Sequence, residues 1–120
     1  MTKTFDWMPD RRRTPRVDLL AEVEGHLITL DERVQVRQLS LGGMTVETTA
    51  PLSPRVDHDF RISLGHRAVS LHARVVHARV AVDGDTVTYV AGLQFVDPTP
   101  LALEVVRSFV DSIRAGEVDE

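Results

Sequence analysis

Four arginines fall within six positions near the start of the chain, at Arg11, Arg12, Arg13 and Arg16. A guanidinium is a planar fork that bonds two oxygens of one anion at once, and it stays charged at any working pH. The chain as a whole is acidic, with a formal net charge of −4. One dense basic knot on an acidic protein points to a compact anion as partner. General nucleic-acid binding needs a broad basic surface and is not expected here. Pro15 biases Thr14 toward extended backbone, so the arginine segment reads as an extended strap and not as a helix.

A second segment, Gln38-Leu39-Ser40-Leu41-Gly42-Gly43, joins a hydroxyl that can donate and accept to two glycines. Glycines allow a tight turn and let backbone approach a ligand closely. Each segment also has a plain reading. An arginine run is commonly a solvated surface, and Ser-Leu-Gly-Gly is commonly a hairpin turn, in which Gly42 would be purely structural.

No catalytic constellation accompanies them. The sequence holds no G-x-S-x-G elbow, no P-loop and no G-x-G-x-x-G, so the chain is expected not to be an enzyme. It has no cysteine, which removes disulfides, thiolate metal sites and cysteine nucleophiles. Its five histidines form no H-E-x-x-H and no carboxylate–histidine cluster, so no metal is expected. His72 and His77 read as surface residues, and Asp83 and Asp85 as turn residues around Gly84. The first residues lack the apolar core of a secretory signal, and no apolar run is long enough to cross a bilayer. A cytoplasmic protein without membrane insertion is the expectation.

The elements that must position these residues are mostly strands. Val17, Leu19, Ala21 and Val23 alternate with polar neighbours, which predicts a strand with one buried face, broken at Gly25-His26. Ile28 and Leu30 are expected to extend that hairpin. Further strands are predicted through Val34 and Val36 to Leu39, through Met44, Val46 and Thr48, and through Phe60, Ile62 and Leu64. The next strand has a phase error. Val69, Leu71, Ala73 and Val75 share one parity and Val76, Ala78, Val80 and Val82 the other, which predicts a β-bulge. Asp83-Gly84-Asp85 predicts a hairpin into a last strand carrying Val87, Tyr89, Ala91, Leu93 and Phe95. Thr99 can cap a helix that starts at Pro100, and Val106, Phe109, Val110 and Ile113 follow helical spacing. That stripe is core or a face for self-association as a homodimer. The expected fold is therefore all-β, a six-stranded antiparallel β-barrel with a C-terminal α-helix. Residues 1–10 read as a flexible tail, 11–114 as the barrel and helix, and 115–120 as an acidic tail.

Arg12-Arg13-Thr14-Pro15-Arg16 and Gln38-Leu39-Ser40-Leu41-Gly42-Gly43 resemble the two signatures of the PilZ domain family, RRxxR and D/N-x-S-x-x-G. Gly92-Leu93-Gln94-Phe95-Val96-Asp97 is similar to that family's late strand. The resemblance covers roughly residues 11–114. It implies a split barrel that receives the bacterial second messenger cyclic di-GMP, with no further cofactor. Arginine forks can bond its phosphates or the O6 and N7 edge of guanine, and can stack on the base. By resemblance the ligand contacts are Arg12, Arg13, Arg16, Gln38, Ser40 and Gly43, with Arg11 and Gly42 as additional ones. A downstream protein would receive the signal. Gln38 departs from the family's Asp or Asn. A neutral amide forgoes a charge-assisted bond to guanine, which would weaken binding roughly tenfold, and a PilZ-like adaptor that no longer binds the ligand is the alternative.

Overall fold

The computed structural model describes residues 16–19 and 23–119. Seven strands appear in chain order: β1 (Arg16–Asp18), β2 (Glu24–Leu27), β3 (Glu32–Ser40), β4 (Gly43–Thr48), β5 (Asp57–Leu64), β6 (Arg67–Asp83) and β7 (Thr86–Phe95). One helix, α1 (Pro100–Asp119), follows them. All pairings are antiparallel. Strands β3, β2, β5, β6, β7 and β4 are joined in that order, and a β3–β4 pairing closes them into a ring of six. The seventh, β1, lies on the same edge of β3 as β2, further along it.

Alternation makes the ring. Every second residue of β5 and of the first half of β6 is buried, so Phe60, Ile62, Leu64, Val69, Leu71, Ala73 and Val75 point inward. Removing such side chains from water contributes about 1.5–3 kcal/mol each. They meet Val34, Val36, Leu39, Met44, Val46, Ala91 and Leu93 in one core. The expected bulge is present: the β6–β7 register shifts between Val75 and His77. Past it Ala78 packs on the core and the inward parity is reversed.

Thr99 caps the helix as expected, its hydroxyl accepting from the Ala102 N–H at 3.1 Å. Ala102, Val105, Val106 and Val110 are buried, and Phe109 and Ile113 pack beside them. The helix thereby rests on β1, β3, β5 and β6. It runs on through Gly116 to Asp119, into the stretch read from sequence as a tail.

Other expectations fail. The strand expected through Val17, Leu19, Ala21 and Val23 stops at Asp18, Leu19 and Val23 lie outside any strand, and Ala21 falls outside the described residues. Gly25 and His26 do not break a strand; they are the middle of β2. Glycine is there for space. A Cβ at Gly25 would lie 2.6 Å from the Ile62 side chain and 3.1 Å from the Arg61 carbonyl, where β2 crosses β5. Ile28 and Leu30 do not prolong a strand either. They form a 3-10 turn, Ile28–Leu30, ended by Asp31 in the left-handed region at φ 55°.

Candidate functional site

Arg16, the last residue of the arginine segment, opens β1. The register of β1 on β3 pairs Arg16 with Ser40, Val17 with Leu39 and Asp18 with Gln38. Directly opposed residues share a face. Val17 and Leu39 are buried in the core, so Arg16, Asp18, Gln38 and Ser40 lie together on the other side. Arg16 is half-buried there. Arg11, Arg12 and Arg13 lie outside the described residues, with Thr14 and Pro15.

The serine–glycine corner joins β3 to β4. Ser40 is fully buried. Its Oγ accepts from the Gly42 N–H at 3.2 Å and donates to the Gly43 carbonyl at 3.4 Å, bracing the turn. The Gly42 carbonyl accepts from the Phe95 N–H at 3.0 Å, which ties the corner to β7. Gly43 stands opposite Gln94, and a Cβ on Gly43 would overlap the Leu93 carbonyl. No L side chain fits without parting β4 from β7. Gly43 is thus a requirement of the fold, whatever it also does for a ligand.

Gln38 is held at both ends. Its Nε2 donates to Asp18 Oδ1 at 2.7 Å, and its Oε1 accepts from Thr45 Oγ1 at 3.2 Å. The row continues across the sheet, Gln38 to Thr45, Thr45 to Gly92 and Gly92 to His77. Gly92 has no side chain, and it is itself buried in the row between Thr45 and His77. Among the described residues, Arg16 from the first signature, the corner at Gln38–Gly43 and Gly92 of the last strand thus lie on adjoining strands.

Sequence reasoning missed Asp18 and Thr45, the two partners of Gln38. It also missed a second bulge, between Val36 and Gln38, which turns Arg37 and Gln38 both outward. Arg37 then clamps Glu47 through Nε at 2.9 Å and Nη2 at 2.6 Å. Glu47 also accepts from Thr88 Oγ1 at 2.6 Å. The Thr88 bond, then Arg37, hold the Glu47 carboxyl below its ordinary range. The odd step from Val36 to Leu39 in the apolar pattern is the signal that would have found this bulge.

Two surface hollows are also present. One, of about 300 Å³, is lined by Arg33, Arg37, Glu47, Thr48 and Thr88 among others. The other, of about 400 Å³, is lined by Asp59, Ser70, His72, Asp97 and Thr99 among others. Neither includes Gln38, Ser40 or Gly43. Among the described residues no group of three or more His, Cys, Asp or Glu is placed to hold a metal ion, and no helix is long and apolar enough to cross a membrane.

A closed antiparallel ring with one C-terminal helix defines the class of fold. The chain belongs to the PilZ domain family, whose sequence profile matches residues 10–112. Solved structures with the same fold include the PilZ domain with c-di-GMP of YcgR from Escherichia coli. It is 18% identical with a TM-score of 0.69, over 91% of this chain and 95% of that one. The K. pneumonia MrkH–c-di-GMP complex is 20% identical with a TM-score of 0.70, over 92% of this chain and 56% of that one. The Bacillus subtilis inhibitor of motility MotI/DgrA is 18% identical with a TM-score of 0.68, over 88% and 52%. This chain thus spans about half the length of MrkH and MotI. No curated protein matches the sequence.

Proposed function

We propose that this chain is a receptor for cyclic di-GMP, bound on the outer face where the strap meets the serine–glycine corner. The observation that carries the reading is the β1–β3 register, which sets Arg16, the last arginine of the first signature, opposite Ser40 of the second. Membership of the PilZ family and the c-di-GMP complexes of YcgR and MrkH support it. Arg12, Arg13 and Arg16 clamp the phosphates and guanine edges, with Arg11 adding a contact. Gln38 and the backbone at Gly42 and Gly43 form the floor, and Ser40 keeps that floor in shape. Asp18, hydrogen-bonded to Gln38, returns a carboxylate to the place where a neutral amide had removed one. Closing of the strap over the ligand is the conformational signal, and a second cytoplasmic protein reads it. No bond is made or broken, so the chain acts as a receptor and not as an enzyme.

Calorimetry with cyclic di-GMP tests this directly. The wild type should give saturable heat, and Arg12→Ala and Arg16→Ala should each weaken binding at least tenfold. A wild type that gives no heat ends the reading.

One observation favours a second reading, an adaptor that binds only protein. The Gln38 amide is already engaged at both ends, by Asp18 and Thr45, before any ligand arrives. If Gln38→Asp binds cyclic di-GMP and the wild type does not, the adaptor reading holds.

A further inference from the structure

Strand β6 outruns its neighbours. β5 pairs with it only from Arg67 to Arg74. Val75 is then closed off by hydrogen bonds with Arg55 and Val56. β7 stays with β6 as far as Asp83, whereas β4 leaves β7 at Tyr89. The end of the hairpin is therefore a two-stranded ribbon standing clear of the ring.

The two-residue turn fixes which backbone groups point where. Asp83 and Thr86 flank Gly84-Asp85 as the doubly bonded closing pair. Bonded and unbonded pairs alternate in an antiparallel ladder. Ala81 and Arg79 thus bond to β7, and Ala78, Val80 and Val82 turn their N–H and C=O groups to the open edge. No described strand pairs with that edge beyond Val75. Val80 and Val82 continue the core parity into solvent, 55% and 67% exposed, beside Val87 at 48%. Native edges are usually guarded by lysine, proline, a bulge or an inward charge. From Ala78 to Val82 the sequence Ala-Arg-Val-Ala-Val carries none of these guards on its core face.

We propose that this edge pairs antiparallel with the same edge of a second copy of the chain, about a two-fold axis at Ala81. In that register Val80 faces the partner's Val82, and their outward backbone groups bond to each other. Ala81 faces the partner's Ala81. Arg79 faces the partner's Asp83, twice by symmetry, so the edge is complementary to itself in charge as well as in shape. A shift of two residues toward the ring sets Arg79 opposite Ala81 and loses that pair. A shift of two toward the turn runs the pairing off the strand. The homodimer is independent of any ligand on the strap face.

The chain has no cysteine, so Ala81→Cys introduces the only thiol. Directly opposed cysteines on the axis are within disulfide reach. Under mild oxidation Ala81→Cys should cross-link to a dimer, and Thr88→Cys on the other strand of the ribbon should not. In sedimentation equilibrium Arg79→Asp should raise the dimer dissociation constant about tenfold, because two attractive pairs become repulsive. Adding Asp83→Arg to it should restore the dimer. Thermal melts establish that each variant is folded. A monomeric wild type overturns the proposal. So does a dimer indifferent to the charge reversals, or equal cross-linking at the two cysteine positions, since its interface would lie elsewhere or on another protein's strand.

Discussion

Gln38→Asp is the substitution through which the outer face is best probed. It removes the bond from Gln38 Nε2 to Asp18 Oδ1, 2.7 Å long, and shortens the reach to Thr45. It also sets a second carboxylate beside Asp18. A hydrogen bond to a charged group is worth about 1.5–3 kcal/mol at most, and less at a half-exposed site. Two carboxylates about 4 Å apart in water repel by about 1 kcal/mol. The free protein should therefore lose about 2 kcal/mol in urea denaturation at neutral pH. Combining it with Asp18→Asn removes the repulsion and lets the new amide donate to the new carboxylate, so about half of the loss should return. Binding should move the other way. A charged acceptor for guanine should tighten cyclic di-GMP about tenfold by calorimetry, and the double variant should bind at least as well as the single one. Unchanged stability in Gln38→Asp, or a double variant no more stable than the single, would refute the picture of Gln38 and Asp18 as one unit.

Gly43→Ala should destabilise by more than about 2 kcal/mol in urea, because its Cβ overlaps the Leu93 carbonyl and a β4–β7 ladder bond must be given up; a near-neutral result would mean that the corner can shift. Ser40→Ala leaves the Gly42 N–H and the Gly43 carbonyl without their strut. It should cost about 1–2 kcal/mol by thermal or urea denaturation, whether or not ligand is present. His72 lies between Asp59, 2.7 Å from Nδ1, and Asp57, 3.1 Å from Nε2. Those carboxylates, Asp59 first, raise the imidazole above its ordinary value. The contribution is therefore fully present below about pH 6.5, the ordinary value, and is lost as pH rises from there through the raised folded value. His72→Gln should thus lower the melting temperature at pH 6 and leave it unchanged at pH 9.

Much of the fold was legible because burial imposes parity. The strands around Phe60, Val75 and Leu93 and the bulge after Val75 follow from which residues alternate, and the Thr99 cap follows from local chemistry. Gly25 was misread because glycine marks a turn and a close crossing with the same letter; only the neighbouring β5 tells them apart. The partners of Gln38 were not legible, since Asp18 and Thr45 reach it through cross-strand register, a long-range property. The exposure of Val80 and Val82 was hidden for a related reason. Alternation predicts a buried face but not whether the neighbouring strands are long enough to cover it.

The central claim is one of place: that cyclic di-GMP settles between the strap and the serine–glycine corner. Titrating it into the isotope-labelled chain and following backbone amide shifts addresses that most directly. The account predicts the largest changes at residues 16–18, 38–45 and 92–94, with the helix after Val106 and the ribbon tip near Gly84 undisturbed. Saturable binding whose shifts fall instead on the hollow beside His72, or on the helix, would contradict it.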